Sequence, residues 1–102
     1  MKKALTTLGN NWQIYLNKII SQFLGTTENA YSVQLKISNK TLYVEKASSN
    51  KKGFLIKKLI KRGAGYGLNL PLPILELLDI NTEVDLVDIN IENNQLIIKK
   101  VD

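Results

Sequence analysis

Between residues 51 and 62 the chain carries Lys51, Lys52, Lys57, Lys58, Lys61 and Arg62, with no acid among them. Cations clustered in this way neutralise phosphates and release the counterions condensed on a nucleic acid. The run leads directly into "GAGYG", residues 63–67. Alternating glycines raise a second chemistry, the cradling of a phosphate by backbone N–H groups. The spacing decides against it. A dinucleotide fingerprint needs Gly-x-Gly-x-x-Gly between a strand and a helix. Here the spacing is Gly-x-Gly-x-Gly, the following "YGLNL" reads as a strand, and no Gly-Lys-Ser or Gly-Lys-Thr occurs anywhere. A tight turn between two strands is the stronger reading, with glycine supplying positive φ.

Other chemistries are thinner still. The chain has no Cys and no His, which removes disulfides, thiolate nucleophiles, imidazole acid–base catalysis and most zinc sites. Glu83, Asp85, Asp88 and Glu92 are close in sequence but interleave with Val84, Leu86 and Ile89. That alternation reads as solvated acids on the outer side of a strand. No catalytic residue, cofactor or metal site is expected, and the chain does not read as an enzyme. The basic run has its own bland alternative, a charged strand face that only keeps the protein soluble.

The 102 residues are enough for one domain with a modest core. A hydrophobic fraction of 44% with 23% charged residues is ordinary for a globular protein. No apolar run approaches the roughly 20 residues that span a bilayer. The start, "MKKALTTLGNNW", lacks an apolar stretch of signal-peptide length, so a cytoplasmic location and no membrane partner are expected. The net charge is +5 and unevenly spread. After the basic run come Glu76, Asp79, Glu83, Asp85, Asp88 and Glu92, with no cation before Lys99. A basic balance of this kind fits a nucleic-acid partner.

The elements that must position these residues come in two similar sets. Shifted by 54 positions, the chain overlays itself without a gap: Lys3 on Lys57, Leu5 on Leu59, Gly9 on Gly63, Leu16 on Leu70, Ile20 on Ile74, Leu24 on Leu78. The identities continue through Val33 on Val87, Ile37 on Ile91, Leu42 on Leu96 and Lys46 on Lys100. The rival is two unrelated halves that share generic hydrophobic patterning. Each copy reads ββαββ, mostly β with one short helix. A first strand (about Lys3 to Leu8; Phe54 to Arg62) reaches a turn, "GNN" or "GAG". A second strand follows, Trp12 to Leu16 or Tyr66 to Leu70. The helix then opens on Asn17, a capping residue, or on Pro71 and Pro73. Ile19, Ile20, Phe23 and Leu24, like Ile74, Leu75, Leu77 and Leu78, recur at helical spacing, and Gly25 ends the first helix. Two strands with period-two alternation close each copy around the polar turns "SNKT" and "ENNQ". The boundaries are 1–47 for the first repeat, 48–53 for a linker, and 54–102 for the second.

The stretch "IKRGAGYGLNLPLPILELLDINTEVDLVDINIENNQLIIKK" resembles the AbrB/MazE-type swapped-hairpin domains, and "LGNNWQIYLNKIISQFLG" resembles the same motif. The resemblance implies that two ββαββ units interleave into one barrel. Two copies in one chain then imply an intramolecular pseudo-dimer, alone or associated as a dimer of pseudo-dimers. A related duplicated barrel such as the double-psi barrel is the alternative topology. It also implies a DNA-binding transcriptional regulator, associated with the nucleoid, that holds double-stranded DNA through the first strand and turn of each repeat.

The family's basic position before the turn glycine falls on Lys61 and Arg62, expected to be exposed, and in the first copy on Thr7 and Leu8. The position before the helix proline falls on Asn69 and, in the first copy, Tyr15. The implied contact set is Lys57, Lys58, Lys61, Arg62 and Asn69, with Lys3, Asn10 and Asn11; Gln13 lies near the same turn. One half is thus cationic and the other polar, which suits an asymmetric DNA site. Trp12, Tyr15 and Tyr66 flank the turns, and filling the barrel mouth is preferred to stacking on bases. The alternative partner is a toxin protein, the chain then being an antitoxin. MazE-type antitoxins bind toxins mostly through an extended tail after the barrel. The sequence ends directly after its last strand, so such binding is expected to use the barrel or the acidic stretch from Glu76 to Glu92.

Overall fold

The computed structural model describes residues 2–8, 11–25, 32–47, 55–82 and 85–101; within these, the side chains of residues 2–4, 6–8 and 11 lie outside the described set. The chain is mostly β with two short helices. In order it runs β1 (Lys2–Ala4), β2 (Thr6–Leu8), β3 (Asn11–Leu16), α1 (Lys18–Leu24), β4 (Ser32–Ser38) and β5 (Thr41–Lys46). It continues with β6 (Leu55–Lys58), β7 (Ile60–Arg62), β8 (Gly65–Asn69), α2 (Leu72–Leu77), β9 (Leu86–Glu92) and β10 (Gln95–Lys100). The linker expected at 48–53 lies outside the described residues. No described helix is long and apolar enough to cross a membrane.

Two antiparallel sheets result. One has the order β1-β9-β10-β5-β4-β6 and the other β2-β3-β8-β7. Each expected first strand is in fact two. β1 and β2 are separated by Leu5, β6 and β7 by Leu59, and in both cases the chain passes from the larger sheet to the smaller one. Leu5 and Leu59 are both buried. A buried side chain at a sheet corner leaves the period-two alternation intact, so the break has no local signature. Neither sheet closes on itself among the described residues.

The ladders repeat their register. Lys3 faces Val87 in the β1–β9 pair and Lys57 faces Val33 in the β6–β4 pair. Val33 faces Lys46, and Val87 faces Lys100. Thr6 faces Gln13, and Ile60 faces Gly67. Two ladders are centred on themselves: β3–β8 on Ile14 opposite Leu68, and β5–β10 on Tyr43 opposite Ile97. Each of these correspondences is a displacement of 54 positions. The core draws on both sequence halves alike: Val33, Leu35, Leu42 and Val44 pack with Val87, Ile89, Leu96 and Ile98, all buried.

Local chemistry explains the boundaries. Asn17 caps α1, its Oδ1 accepting from the backbone N–H of Ile20 at 2.9 Å. Gly25 ends α1 at φ +79, the left-handed stop that glycine adopts at low cost. In α2 the backbone of Pro71 is still extended, so the helix starts one residue later than expected, with Pro73 in its first turn. "SNKT" and "ENNQ" close hairpins with both central residues at positive φ: Asn39 and Lys40, Asn93 and Asn94. That is the type I′ geometry, whose twist matches the flanking strands. The helical spacing was only a partial guide to burial. Ile20 and Leu24 of α1, Ile74 and Leu75 of α2, and Leu78 just beyond it are buried. Ile19, Phe23 and Leu77, on the same spacing, are exposed, as is Leu72.

Candidate nucleic-acid interface

β7 and β8 form a two-residue hairpin, Arg62 facing Gly65 across a turn at Gly63 and Ala64. Gly63 is at φ +58 and Ala64 is outside the positive region, the arrangement of a type II′ turn with glycine at its first central position. The next two glycines serve a different need. A Cβ at Gly65 would strike the carbonyl oxygen of Leu16 and lie 2.6 Å from the Tyr15 hydroxyl. A Cβ at Gly67 would lie 2.6 Å from Gln13 Oε1 and 3.0 Å from Arg62 Cδ. "GAGYG" is therefore one turn glycine followed by two close-approach glycines. Side chains from β3 and β7 occupy the space over β8.

Those side chains form a connected cluster. Arg62 donates from Nη1 to Gln13 Oε1 at 2.9 Å. Gln13 donates from Nε2 to Asn69 Oδ1 at 2.5 Å. The guanidinium also lies over the Tyr15 ring, 5.8 Å from its centre, within the range of a cation–π contact. Gln13 is fully buried, while Arg62, Asn69 and Tyr15 are half-buried. No buried side-chain nitrogen or oxygen among the described residues lacks a hydrogen-bond partner.

The expected contact residues are distributed as follows. Lys61 is exposed, with Nζ 5.2 Å from the centre of the Tyr66 ring. Arg62 was expected to be exposed as well and is not, because Gln13 and Tyr15 hold it against the sheet. Lys58 is exposed opposite Ser32, and Lys57 is half-buried opposite Val33. Both are on β6, the stretch before the corner at Leu59, so the four cations lie on one continuous path through two sheets. Asn69 joins the group through Gln13. Lys3 is in β1 opposite Val87, and Asn11 is in β3 opposite Leu8; their side chains, and Asn10 entirely, are outside the described residues. Among the aromatic residues, Tyr66 belongs to the core and Trp12 packs against it.

Gln13 is the member that the sequence conceals. Strand alternation sets it opposite to the inward Trp12, Ile14 and Leu16, which predicts an outward, solvated amide. Arg62 and Asn69, from strands 49 and 56 positions away, bury it. The one sequence trace is that the 54-position shift places Gln13 on Gly67, a large polar residue against none.

Among the described residues the acids from Glu76 to Glu92 do not gather into a metal-binding or catalytic group. Asp85 accepts from the Asn81 backbone N–H at 2.7 Å and is 3.7 Å from Lys100 Nζ. A surface cleft of about 240 Å³ is lined by Asn39, Lys40, Thr41, Leu78, Asp79, Lys99 and Lys100. Its polar groups include the solvent-exposed pair Lys40 and Asp79, 3.8 Å apart. No protein-family model matches the chain, and neither does any curated protein or solved structure.

Proposed function

We propose that the protein is a DNA-binding transcriptional regulator of the AbrB/MazE kind, built from two swapped-hairpin repeats in one chain. The recurrence of every cross-strand register at a displacement of 54 positions supports the repeat. Each copy lends its first strand to the other's hairpin: β1 to β9, and β6 to β4. The corners at Leu5 and Leu59 join the two sheets along two edges, which is the reading of the molecule as an interleaved pseudo-dimeric barrel. Duplex DNA is held by the β6–β7 path and the Gly63–Ala64 turn.

One observation carries the DNA reading. Lys57, Lys58, Lys61 and Arg62 lie on one path free of acids, and its last member, Arg62, is joined through Gln13 to Asn69, both side chains of the kinds that read base edges. Lysines on such a path neutralise phosphates, while Arg and Asn supply donors to base edges in the major groove. Selection of duplexes from a random pool tests the reading. The wild-type chain is expected to enrich a defined sequence, and a chain with Lys57, Lys58 and Lys61 replaced by Ala is expected to enrich none. No enrichment by the wild type contradicts the proposal.

The second reading is an antitoxin that binds a toxin protein. It is favoured by apolar side chains left exposed on both helices: Ile19 and Phe23 on α1, Leu72 and Leu77 on α2. Exposed apolar surface of this kind serves protein contacts more readily than DNA. Replacing Phe23 and Leu77 by Ser separates the two readings, since it is expected to leave duplex selection unchanged and to abolish any toxin complex.

A further inference from the structure

We infer that Gln13 is a positioning residue that sets base specificity, and that the chain reads DNA sequence at one place although it has two arms. The inference rests on the DNA-binding reading above. The Gln13 amide has its two ends committed: Oε1 accepts from Arg62, and Nε2 donates to Asn69 Oδ1. One buried side chain thus orients two half-buried polar groups. They are the two side-chain types best suited to bidentate base reading, Arg to guanine and Asn to adenine.

Three features make the arrangement rigid. Gln13 is sealed from water. Tyr15 lies under the guanidinium. Gly67 leaves the room that any Cβ would take from Gln13 Oε1 and Arg62 Cδ. A long arginine held beforehand loses less side-chain freedom when it meets its target.

The same cluster cannot form on the other side. Displaced by 54 positions, Gln13 falls on Gly67, Arg62 on Leu8 and Asn69 on Tyr15. The first repeat contributes the buried amide and the ring, and the second contributes the cation and the outer amide. Neither repeat holds a complete reader. The target is therefore a single asymmetric element and not an inverted repeat.

The test uses the full chain and two labelled duplexes, the one selected from the random pool and a scrambled version. Binding is measured by fluorescence anisotropy over a range of salt. Gln13→Leu keeps the volume and removes both hydrogen bonds. Arg62→Lys keeps the charge and removes the fork. Each is expected to lose about tenfold or more of the preference for the selected duplex. The salt slope, set by the number of phosphates engaged, is expected to stay near that of the wild type.

Thermal melts identify folded variants. If Gln13→Leu does not fold, Arg62→Lys and Asn69→Ala carry the same expectation. Folded variants that keep full preference overturn the role of Gln13 while leaving DNA binding intact. A selected sequence that is an inverted repeat overturns the single reader. A wild-type chain that selects no duplex overturns the DNA reading itself, and this inference with it.

Discussion

Lys61 and Arg62 are neighbours in sequence and carry the same charge, but they stand in different physical situations. Lys61 reaches solvent over the Tyr66 ring, whereas Arg62 serves a buried acceptor. Lys61→Ala should change stability by no more than about 0.5 kcal/mol, as surface substitutions do. It should also reduce the salt slope of DNA binding by about 1, the share of one phosphate. Arg62→Ala takes a charged donor from Gln13 and should cost about 1–3 kcal/mol of stability. For a domain of this size that lowers the melting temperature by about 4 °C or more. Thermal denaturation of the two variants checks the contrast, and equal melting temperatures would contradict it. The cations themselves were legible in the sequence because a run without acids needs no partner to be noticed. The partial burial of Arg62 was not legible, since it depends on Gln13 and Tyr15, which only the β3–β8–β7 pairing brings near.

At the scale of elements, the "GAGYG" hairpin sorts its glycines by what each avoids. At Gly63 a side chain would meet open space and only the positive φ resists it. Gly63→Ala should therefore cost about 1–2 kcal/mol, the penalty of a left-handed L-residue. At Gly65 the obstacle is the Leu16 carbonyl, a backbone atom of the neighbouring strand, which cannot turn aside as a side chain would. Gly65→Ala should displace β8 from β3 and be the more damaging of the two, beyond the roughly 1–3 kcal/mol of ordinary overpacking. Chemical denaturation of both variants gives the order, and Gly63→Ala proving the worse would contradict this assignment. Asn17→Ala should cost about 1 kcal/mol through its lost cap. The Asn17 and Gly25 caps, the closing hairpin turns and the inward apolar strand residues were readable beforehand, because each depends on chemistry within a few residues. The transfer of one strand between two sheets at Leu5 and Leu59 was not. A buried leucine at a corner looks like any other inward residue of an unbroken strand, and the outward Phe23 and Leu77 likewise look like core on spacing alone.

The whole molecule is held together across its sequence halves. β1 finds its partner in β9, β6 in β4, β3 in β8 and β5 in β10. A radius of gyration of 12.6 Å is close to the roughly 13 Å expected of one compact unit of 100 residues. Cutting the chain between Asn50 and Lys51 should therefore leave two pieces that are unfolded as monomers and regain β structure when mixed, as followed by circular dichroism. A piece that melts cooperatively as a monomer would contradict the interleaving. The same architecture sets the electrostatics. Lys58, Lys61 and Arg62 of the β6–β7 path fall on Ala4, Thr7 and Leu8 of the first copy, so one flank of the molecule should take most of the phosphates. The measurement that tests this most directly is the affinity of the intact protein for its selected duplex, followed by anisotropy from about 50 to about 200 mM salt. Engagement of phosphates by Lys57, Lys58 and Lys61 predicts a slope of about −3 in log K against log salt, with sequence preference retained at the upper end. A slope near zero, or contact that vanishes at the upper end without preference, would show the path to be solvated surface and contradict the account.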